Sequence, residues 1–217
     1  MSTEEAVDKI AAMKFDGVEI AIWNIEEFWP RREAIKEKLQ AHGLELSNIC
    51  SNDNVYVWSG PVYTNPDVKV RDEMVRRFEK TLDVAAELGC RSVSIWPGSD
   101  AIPLKTQYHK AWNLLVETLA RCARAAEDRD LQVPLEYKPE NILSNADSTL
   151  RAIEAVNSKN MGALLDTGHA IVAREHLPTV TEMLGNRLLH VHIDDNYADW
   201  DRDLPPGYAH NFEPFLR

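Results

Sequence analysis

Short hydrophobic runs rich in β-branched residues alternate with longer amphipathic stretches along this chain. A continuous apolar run is typical of a parallel strand buried on both faces, whereas apolar positions three and four residues apart predict a helix. The run Phe15-Asp-Gly-Val-Glu-Ile-Ala-Ile-Trp23 is the first predicted strand. The predicted strands are 15–23, 44–50, 91–96, 131–137, 161–166 and 188–193.

Helix signals occupy the segments between these runs. Ser2 and Glu5 form a capping-box pattern, and Gly43 and Gly89 stand where helices are expected to end. The predicted helices are a first helix beginning at Ser2, then 30–42, a long helix from Asn65-Pro66 to Gly89, 108–127, 147–156 and 177–184, with the start of another at Phe212.

This alternation predicts an α/β protein with a parallel sheet, either doubly wound or closed as a (β/α)8 TIM barrel. The doubly wound alternative lacks its usual phosphate-binding signatures, since the chain has no Gly-x-Gly-x-x-Gly and no Walker loop. Barrel enzymes carry their sites at the carboxyl ends of the strands, and the polar residues of this chain favour that fold. Residues at predicted strand ends are Trp23, Asn24, Trp96, Glu136, Lys138, Asp166, His169, His192 and Asp194.

We expect residues 1–217 to form a single barrel domain, because no linker or composition break divides them. The chain provides about six βα units where a closed barrel needs eight, so a first and a last strand are missing. The chain is then a truncated form, an open sheet, or a subunit whose exposed edges a partner covers. We expect a homo-oligomer.

Composition narrows the possible partners. The formal net charge is −11, from 24 Lys and Arg against 35 Asp and Glu, which argues against nucleic-acid binding. A hydrophobic content of 44% excludes intrinsic disorder. Cys50, Cys90 and Cys122 lie in apolar segments and are predicted to be reduced core thiols. No apolar run approaches the roughly 18 residues of a membrane span, so we expect a cytoplasmic protein without a membrane partner.

The segment Leu135-Glu-Tyr-Lys-Pro139 ends a predicted strand with an acid and a base. Charged groups in the mouth of a sheet are unfavourable unless they bind something. The alternative is that Glu136 and Lys138, two apart on one strand and on the same face, merely pair with each other.

Two later segments add possible metal ligands. Asp166 and His169 could reach one cation, although Asp166 could equally cap the following helix and a lone histidine is often structural. His190, His192 and Asp194 share one face of the last predicted strand. Each feature alone has an ordinary structural explanation, but together three consecutive strand ends bring ligands to one rim.

Asp201 and Asp203 add two carboxylates in an Asp-x-Asp loop, which in an acidic protein could simply be solvated. The whole set contains carboxylates and imidazoles without thiolates, which suits Mn²⁺, Mg²⁺ or Co²⁺ better than a structural zinc. Such an ion clamps vicinal oxygens of a polyol and polarises a carbonyl. Trp23 and Trp96 could stack against the apolar face of a sugar, or they could be core aromatics.

These motifs resemble the xylose isomerase-like (β/α)8 barrels, a group that includes sugar isomerases, ketose 3-epimerases, inosose-processing enzymes and endonuclease IV. The resemblance covers nearly the whole chain. Its most specific stretches are Ile95-Trp-Pro-Gly98, Glu136-Tyr-Lys-Pro139, Asp166-Thr-Gly-His169, His192-Ile-Asp-Asp-Asn196 and Asp201-Arg-Asp203.

The resemblance implies a role for each of these side chains. Glu136 would be a metal ligand and Lys138 the cation that touches the carbonyl oxygen of the sugar. Asp166 would bind metal, and His169 would bind a substrate hydroxyl or a second metal. His192 is our choice for the next ligand, with Asp194 second, and Asp201 and Asp203 resemble second-metal ligands.

Two departures from the xylose isomerase pattern matter. The chain has Ala21-Ile-Trp-Asn24 where that enzyme carries a His-Asp constellation, so ring opening by that pair is not available here. The last strand, which brings a final acidic ligand in these families, is absent from the sequence.

The sequence therefore predicts an enzyme, a divalent-metal-dependent isomerase or epimerase of a sugar or keto-sugar, acting by enediolate proton transfer or by hydride shift. Glu136, Lys138 and His169 would be catalytic, and Trp23, Trp96 and His169 would bind the substrate. We favour Mn²⁺ as the metal, with Mg²⁺, Co²⁺ or Zn²⁺ as alternatives. The alternative functions are a metal-dependent phosphodiesterase of the endonuclease IV type and a truncated, non-catalytic homologue.

Overall fold

The computed structural model describes residues 1–53, 62–97 and 107–217. Gly98 of the Ile95-Trp-Pro-Gly98 motif therefore lies outside the described residues. Six parallel strands form one sheet, and they lie side by side in the order in which they occur along the chain. The strands are β1 (Gly17–Ile22), β2 (Glu45–Ser51), β3 (Val93–Ile95), β4 (Val133–Glu136), β5 (Met161–Asp166) and β6 (Leu188–His192).

Each predicted strand is found, and the predicted ends differ from the observed ends by at most a few residues. The helices of the described residues are α1 (Thr3–Ala12), α2 (Ile25–Phe28), α3 (Arg32–His42), α4 (Val68–Leu88), α5 (Tyr108–Glu127), α6 (Ala146–Val156), α7 (Thr167–Val172), α8 (Leu177–Leu184) and α9 (Glu213–Leu216). Short 3-10 turns, Trp29–Arg31 and Gly185–Arg187, precede α3 and β6.

Local capping explains where these helices begin and end. Ser2 and Glu5 form the predicted capping box at the start of α1. Gly43 and Gly89 end α3 and α4 with φ angles of 65° and 76°, a left-handed conformation that glycine adopts without steric cost. Asp67 caps α4, which therefore begins slightly later than the Asn65-Pro66 signal predicts.

The core lies between the sheet and the helices packed around it. Its buried apolar side chains form one connected cluster that includes Phe78 of α4 and Leu115 of α5. Cys50, Cys90 and Cys122 are buried and free, so they occupy the core positions that the sequence predicts. Among the described residues, no helix is both long enough and apolar enough to cross a membrane.

The sheet curves into an incomplete barrel, which confirms the predicted fold. Within the described residues, β1 and β6 are its two edges, and each pairs with one neighbouring strand. The curvature is strong enough for Glu19 of β1 to contact His190 and His192 of β6 across the interior. The carboxyl ends of all six strands therefore open onto one concave mouth.

Candidate metal centre

Three successive strands end at the mouth on a side chain that can bind a metal. Glu136 is the last residue of β4, Asp166 of β5 and His192 of β6. Asp166 and His192 are partners in the parallel register, so their side chains project from the same face of the sheet. Parallel strands that are covered by helices present their carboxyl ends together, which is why residues far apart in sequence meet here.

The ligand atoms of these three residues lie within 4.8 Å of one another. His192 Nδ1 is 3.6 Å from Glu136 Oε1 and 3.7 Å from Asp166 Oδ2. These separations exceed the usual range of a hydrogen bond. The two carboxylates are buried, with side chains 8% and 10% exposed, so they face each other with little solvent to screen their charge.

The other ring nitrogen of His192 faces a carboxylate that the sequence did not single out. His192 Nε2 is 3.1 Å from both oxygens of Glu19. Burial alone would lower the pKa of His192, but the Asp166, Glu136 and Glu19 carboxylates together raise it well above its ordinary value. The mouth of the barrel therefore favours a positive charge at this position.

Asp166 also caps a helix, which is the structural role that the sequence offers as an alternative to metal binding. Its Oδ1 accepts a hydrogen bond of 2.8 Å from the backbone N–H of His169 and so caps α7. Its Oδ2 remains directed at His192. Burial raises the pKa of Asp166, but its contacts with His192 and His169 outweigh that effect and lower it. Capping and ligand geometry coexist because the carboxylate has two oxygens.

His169 is placed differently from His192. Its Nδ1 lies 2.8 Å from the Tyr137 carbonyl oxygen, which can only accept, so this nitrogen carries a proton. Its Nε2 lies 3.2 Å from Asp201 Oδ2. Burial lowers the pKa of His169, and Asp201 and Asp166 raise it above the usual value. Both ring nitrogens thus face oxygen acceptors. Nδ1 also lies 3.5 Å from Glu136 Oε1 and 3.9 Å from Asp166 Oδ2, but its contact with the Tyr137 carbonyl is the shorter one.

Lys138 does not pair with Glu136. Its Nζ contacts Asp201 Oδ2 at 2.8 Å and lies 5.4 Å from the centre of the Trp96 ring. Asp201 thus bridges the ammonium group and the ring of His169. Its pKa is lowered, first by the His169 ring and then by Lys138, against the opposing effect of burial.

Asp194, Asp201 and Asp203 form a second group whose oxygens lie within 4.8 Å of one another. The sequence placed Asp194 on the face of the last strand, but β6 ends at His192, and Asp194 Oδ1 instead accepts the backbone N–H of Gly168 at 2.9 Å. Burial raises the pKa of Asp194, and the Asp166 charge raises it further, to about 7. Asp194 therefore belongs to the second group and not to the first.

Most of the predicted site residues line a cleft with a volume of about 320 Å³. This volume is at the lower end of the range for ligand pockets. Nine of the ten predicted site residues line it and Asp194 does not. Trp23 is exposed on one wall, and Trp96 is half-buried. The predicted residues in the lining are Trp23, Trp96, Glu136, Lys138, Asp166, His169, His192, Asp201 and Asp203.

Among the described residues that line the cleft, Glu19 is a charged one that sequence reasoning missed. A signal was available, since Glu19 is an acid inside a run predicted to be buried on both faces. A buried carboxylate requires partners, and that requirement alone would have marked it as a candidate.

Comparisons with known proteins agree with this fold. A family model described as the xylose isomerase-like TIM barrel matches residues 7–217. The inosose dehydratase of Clostridium beijerinckii is 22% identical over 206 residues, which cover 90% of this chain and 64% of that protein. The fructoselysine 3-epimerase of Escherichia coli O157:H7 is 24% identical over 212 residues, covering 94% and 75%. The chain thus spans slightly less than two thirds of the dehydratase.

Comparison with solved structures also indicates this fold. The crystal structure of a D-tagatose 3-epimerase-like protein superposes with a TM-score of 0.85 at 25% sequence identity. The match covers 96% of this chain and 79% of that protein.

Proposed function

Since the chain belongs to the xylose isomerase-like TIM barrel family, we propose that it acts as a divalent-metal-dependent isomerase or epimerase of a sugar or keto-sugar. The observation that carries the proposal is the convergence of Glu136, Asp166 and His192 on one point at the mouth of the barrel. Relatives named as an inosose dehydratase and a fructoselysine 3-epimerase support the substrate class.

The donor set fits a divalent ion. Two ligand atoms bound at about 2.1 Å to the same ion lie roughly 3.0–3.4 Å apart, for octahedral to tetrahedral angles. The separations of 3.6 and 3.7 Å between His192 Nδ1 and the two carboxylates are only slightly longer. Glu136 Oε1, Asp166 Oδ2 and His192 Nδ1 would hold the ion, and this mixture of oxygen and imidazole ligands accepts Mn²⁺, our first choice, as well as Mg²⁺, Co²⁺ or Zn²⁺.

A further observation supports a cation in the second group. Asp194 Oδ2 and Asp201 Oδ1 are shielded from solvent and accept no hydrogen bond from the described residues. Buried carboxylate oxygens are normally satisfied. A second ion, or the substrate itself, would supply the missing partner for Asp194, Asp201 and Asp203.

A bound divalent ion would supply polarisation of the substrate carbonyl and would orient two vicinal oxygens. The residues of the chain do the rest. Lys138 places its ammonium group in the cleft, where it stabilises negative charge that develops on the substrate oxygen. His169 holds a proton at Nε2, which it can donate to a substrate oxygen. Trp23 and Trp96 offer apolar surfaces to the sugar ring.

Metal binding is the first test. The chain should be stripped with chelator, reloaded with Mn²⁺, and titrated calorimetrically beside Glu136→Gln and Asp166→Asn. We expect about one tightly bound ion in the Glu136, Asp166 and His192 group, and an affinity loss of more than about 100-fold in either variant, because each removes a direct ligand. Glu140→Gln is the matched control, since Glu140 is exposed and four residues from Glu136.

Catalysis is the second test. The loaded protein should be incubated with free ketoses in D₂O, and the products followed by NMR. Deuterium at the carbon next to the carbonyl indicates proton transfer through an enediolate, whereas conversion without deuterium indicates a hydride shift. A chain that retains no divalent ion after reloading would instead be a non-catalytic homologue.

A further inference from the structure

We propose that Glu19 is a positioning residue for His192, holding the ring proton on Nε2 so that Nδ1 presents its lone pair to the metal site. This inference rests on the proposed metal-dependent function. It assigns a role to a residue of β1, the edge strand opposite β6, which carries His192.

The first observation is the contrast between the two nitrogens of His192. Nε2 lies 3.1 Å from each oxygen of Glu19, within hydrogen-bonding range. Nδ1 lies 3.6 Å from Glu136 and 3.7 Å from Asp166, outside that range. An ionised carboxylate can only accept, so the contact with Glu19 places a proton on Nε2. In the neutral ring, Nδ1 is then the nitrogen that can bind a metal.

His169 provides an internal comparison. Its Nδ1 donates to the Tyr137 carbonyl at 2.8 Å, so that nitrogen is unavailable as a ligand. The two histidines of the mouth are thus held in opposite orientations by their hydrogen-bond partners. Metal-binding histidines generally donate their second N–H to a carboxylate or carbonyl, which fixes the tautomer and orients the ring.

The second observation is that Glu19 is itself held in place. Its Oε2 accepts a hydrogen bond of 2.8 Å from Asn48 Nδ2, and Asn48 also donates to Ser94 Oγ at 2.9 Å. Ser92 Oγ donates to Asn48 Oδ1 at 2.7 Å. Asn48 and Ser94 are completely buried. A chain of hydrogen bonds therefore runs from the core through Asn48 and Glu19 to His192, and it leaves the carboxylate little freedom to move.

His190 is a second donor to Glu19, with its Nε2 3.0 Å from Oε2. Glu19, His190 and His192 also satisfy the distance requirement for a metal group. Separations of 3.0 and 3.1 Å are those of ordinary hydrogen bonds, however, and the three residues satisfy one another without an ion. The geometry therefore favours a supporting role for Glu19 over a second metal site.

The test measures the proton and the metal separately. In metal-free protein labelled with ¹⁵N-histidine, we expect a slowly exchanging Nε2–H resonance from His192 that is retained in Glu136→Gln and lost in Glu19→Ala. In the Zn²⁺-loaded protein, the resonance of Nδ1 should report metal coordination. The affinity for Zn²⁺ should fall about 10- to 100-fold in Glu19→Ala, which is typical for loss of such a supporting carboxylate.

Glu19→Gln keeps an acceptor of the same shape and should restore part of both signals, which also covers the case that the alanine variant does not fold. Glu4→Gln is the matched control, because Glu4 pairs with Arg31 and does not line the cleft. An unchanged His192 resonance and unchanged Zn²⁺ affinity in Glu19→Ala would overturn the inference. If the wild-type chain binds no Zn²⁺, the proposed function fails, while the metal-free resonance still decides the role of Glu19.

Discussion

At Gly168 in α7, the addition of a single methyl group should disturb the mouth of the barrel. A Cβ built on Gly168 would overlap Asp194 Oδ2 and would lie 2.8 Å from Asp194 Cγ and Oδ1. Those atoms belong to a side chain that can move away. Moving it breaks the hydrogen bond of 2.9 Å between Gly168 N–H and Asp194 Oδ1.

The change in the free energy of unfolding that Gly168→Ala should cause follows from two opposing contributions. At about pH 8.5 Asp194 is largely ionised, because its pKa is about 7, and a hydrogen bond to a charged group contributes about 1.5–3 kcal/mol to stability. Alanine is a better helix former than glycine by up to about 1 kcal/mol. Gly168→Ala should therefore lower the free energy of unfolding by about 0.5–2 kcal/mol in the wild-type background. In an Asp194→Ala background the overlap and the hydrogen bond are both absent, so the same substitution should be neutral or stabilising.

The assay is urea unfolding of the four proteins of this double-mutant cycle, followed by circular dichroism. Gly162→Ala is the control, because its Cβ would meet the backbone oxygen of Arg187 and the side chain of Leu189, which lies 2.5 Å away at Cγ. That variant should be destabilised in both backgrounds by about 1–3 kcal/mol. If Gly168→Ala has the same effect with and without Asp194, the reasoning is refuted.

Two further predictions concern buried charge. Arg77 donates to Asp53 at 2.7 and 2.8 Å, and both side chains are buried. Arg77→Met should lower the free energy of unfolding by about 3–5 kcal/mol, because it removes one partner of a buried ion pair. Arg76→Met, at an exposed pair, should lower it by less than about 1 kcal/mol, and urea unfolding measures both. Asp195 is fully buried, and burial raises its pKa, but the N–H groups of Ala209 and His210 lower it to about 2 from a usual 3.8. Because the folded-state pKa is depressed, this stabilisation is complete above about pH 4 and is lost as the pH falls through about 2. Asp195→Asn should therefore cost about 1.5–3 kcal/mol at pH 7 and little near pH 2, and equal losses at both pH values would contradict the assignment.

The periodicity of the sequence was sufficient to predict most of the fold. Long elements such as α5 and β5 were predicted at their observed bounds, because many apolar positions define each of them. The helix α2 and the bounds of α7 were not predicted, since each helix is only one or two turns long and offers too few positions for a period to emerge. Asp166 was recognised as a possible helix cap because it ends a predicted strand, whereas the cap of α2, Asn24, was not.

The sequence was sufficient to predict the candidate site residues that end strands. It was not sufficient to predict the contacts that cross the barrel. Glu136, Asp166 and His192 each end a strand, so the parallel order of the sheet brings them together. The contact of Glu19 with His192 joins residues that are 173 positions apart. No local pattern encodes such a contact, because it depends on how strongly the sheet curves. The partner of Lys138 was missed for the same reason, since Asp201 lies in a loop that folds back over the mouth.

Two irregularities in strand pairing place the residues of this contact. Between β1 and β2 the register shifts after Val18, so that Glu19 pairs with Asn48. Between β5 and β6 it shifts after Ala163, so that Leu164 pairs with His190 and Asp166 with His192. A slip of one residue moves every following side chain to the other face of a sheet.

Each shift thus decides whether a functional group faces the interior. With Ser47 passed over in β2, the Asn48 amide lies beside the Glu19 carboxylate; with Leu189 passed over in β6, the His192 ring lies beside Asp166. Gly162 makes the second shift possible, because any side chain there would collide with Leu189. Bulges commonly re-aim side chains near functional sites. The two bulges, acting at opposite edges of the sheet, direct Glu19 and His192 towards each other and leave Nδ1 free to face the two buried carboxylates.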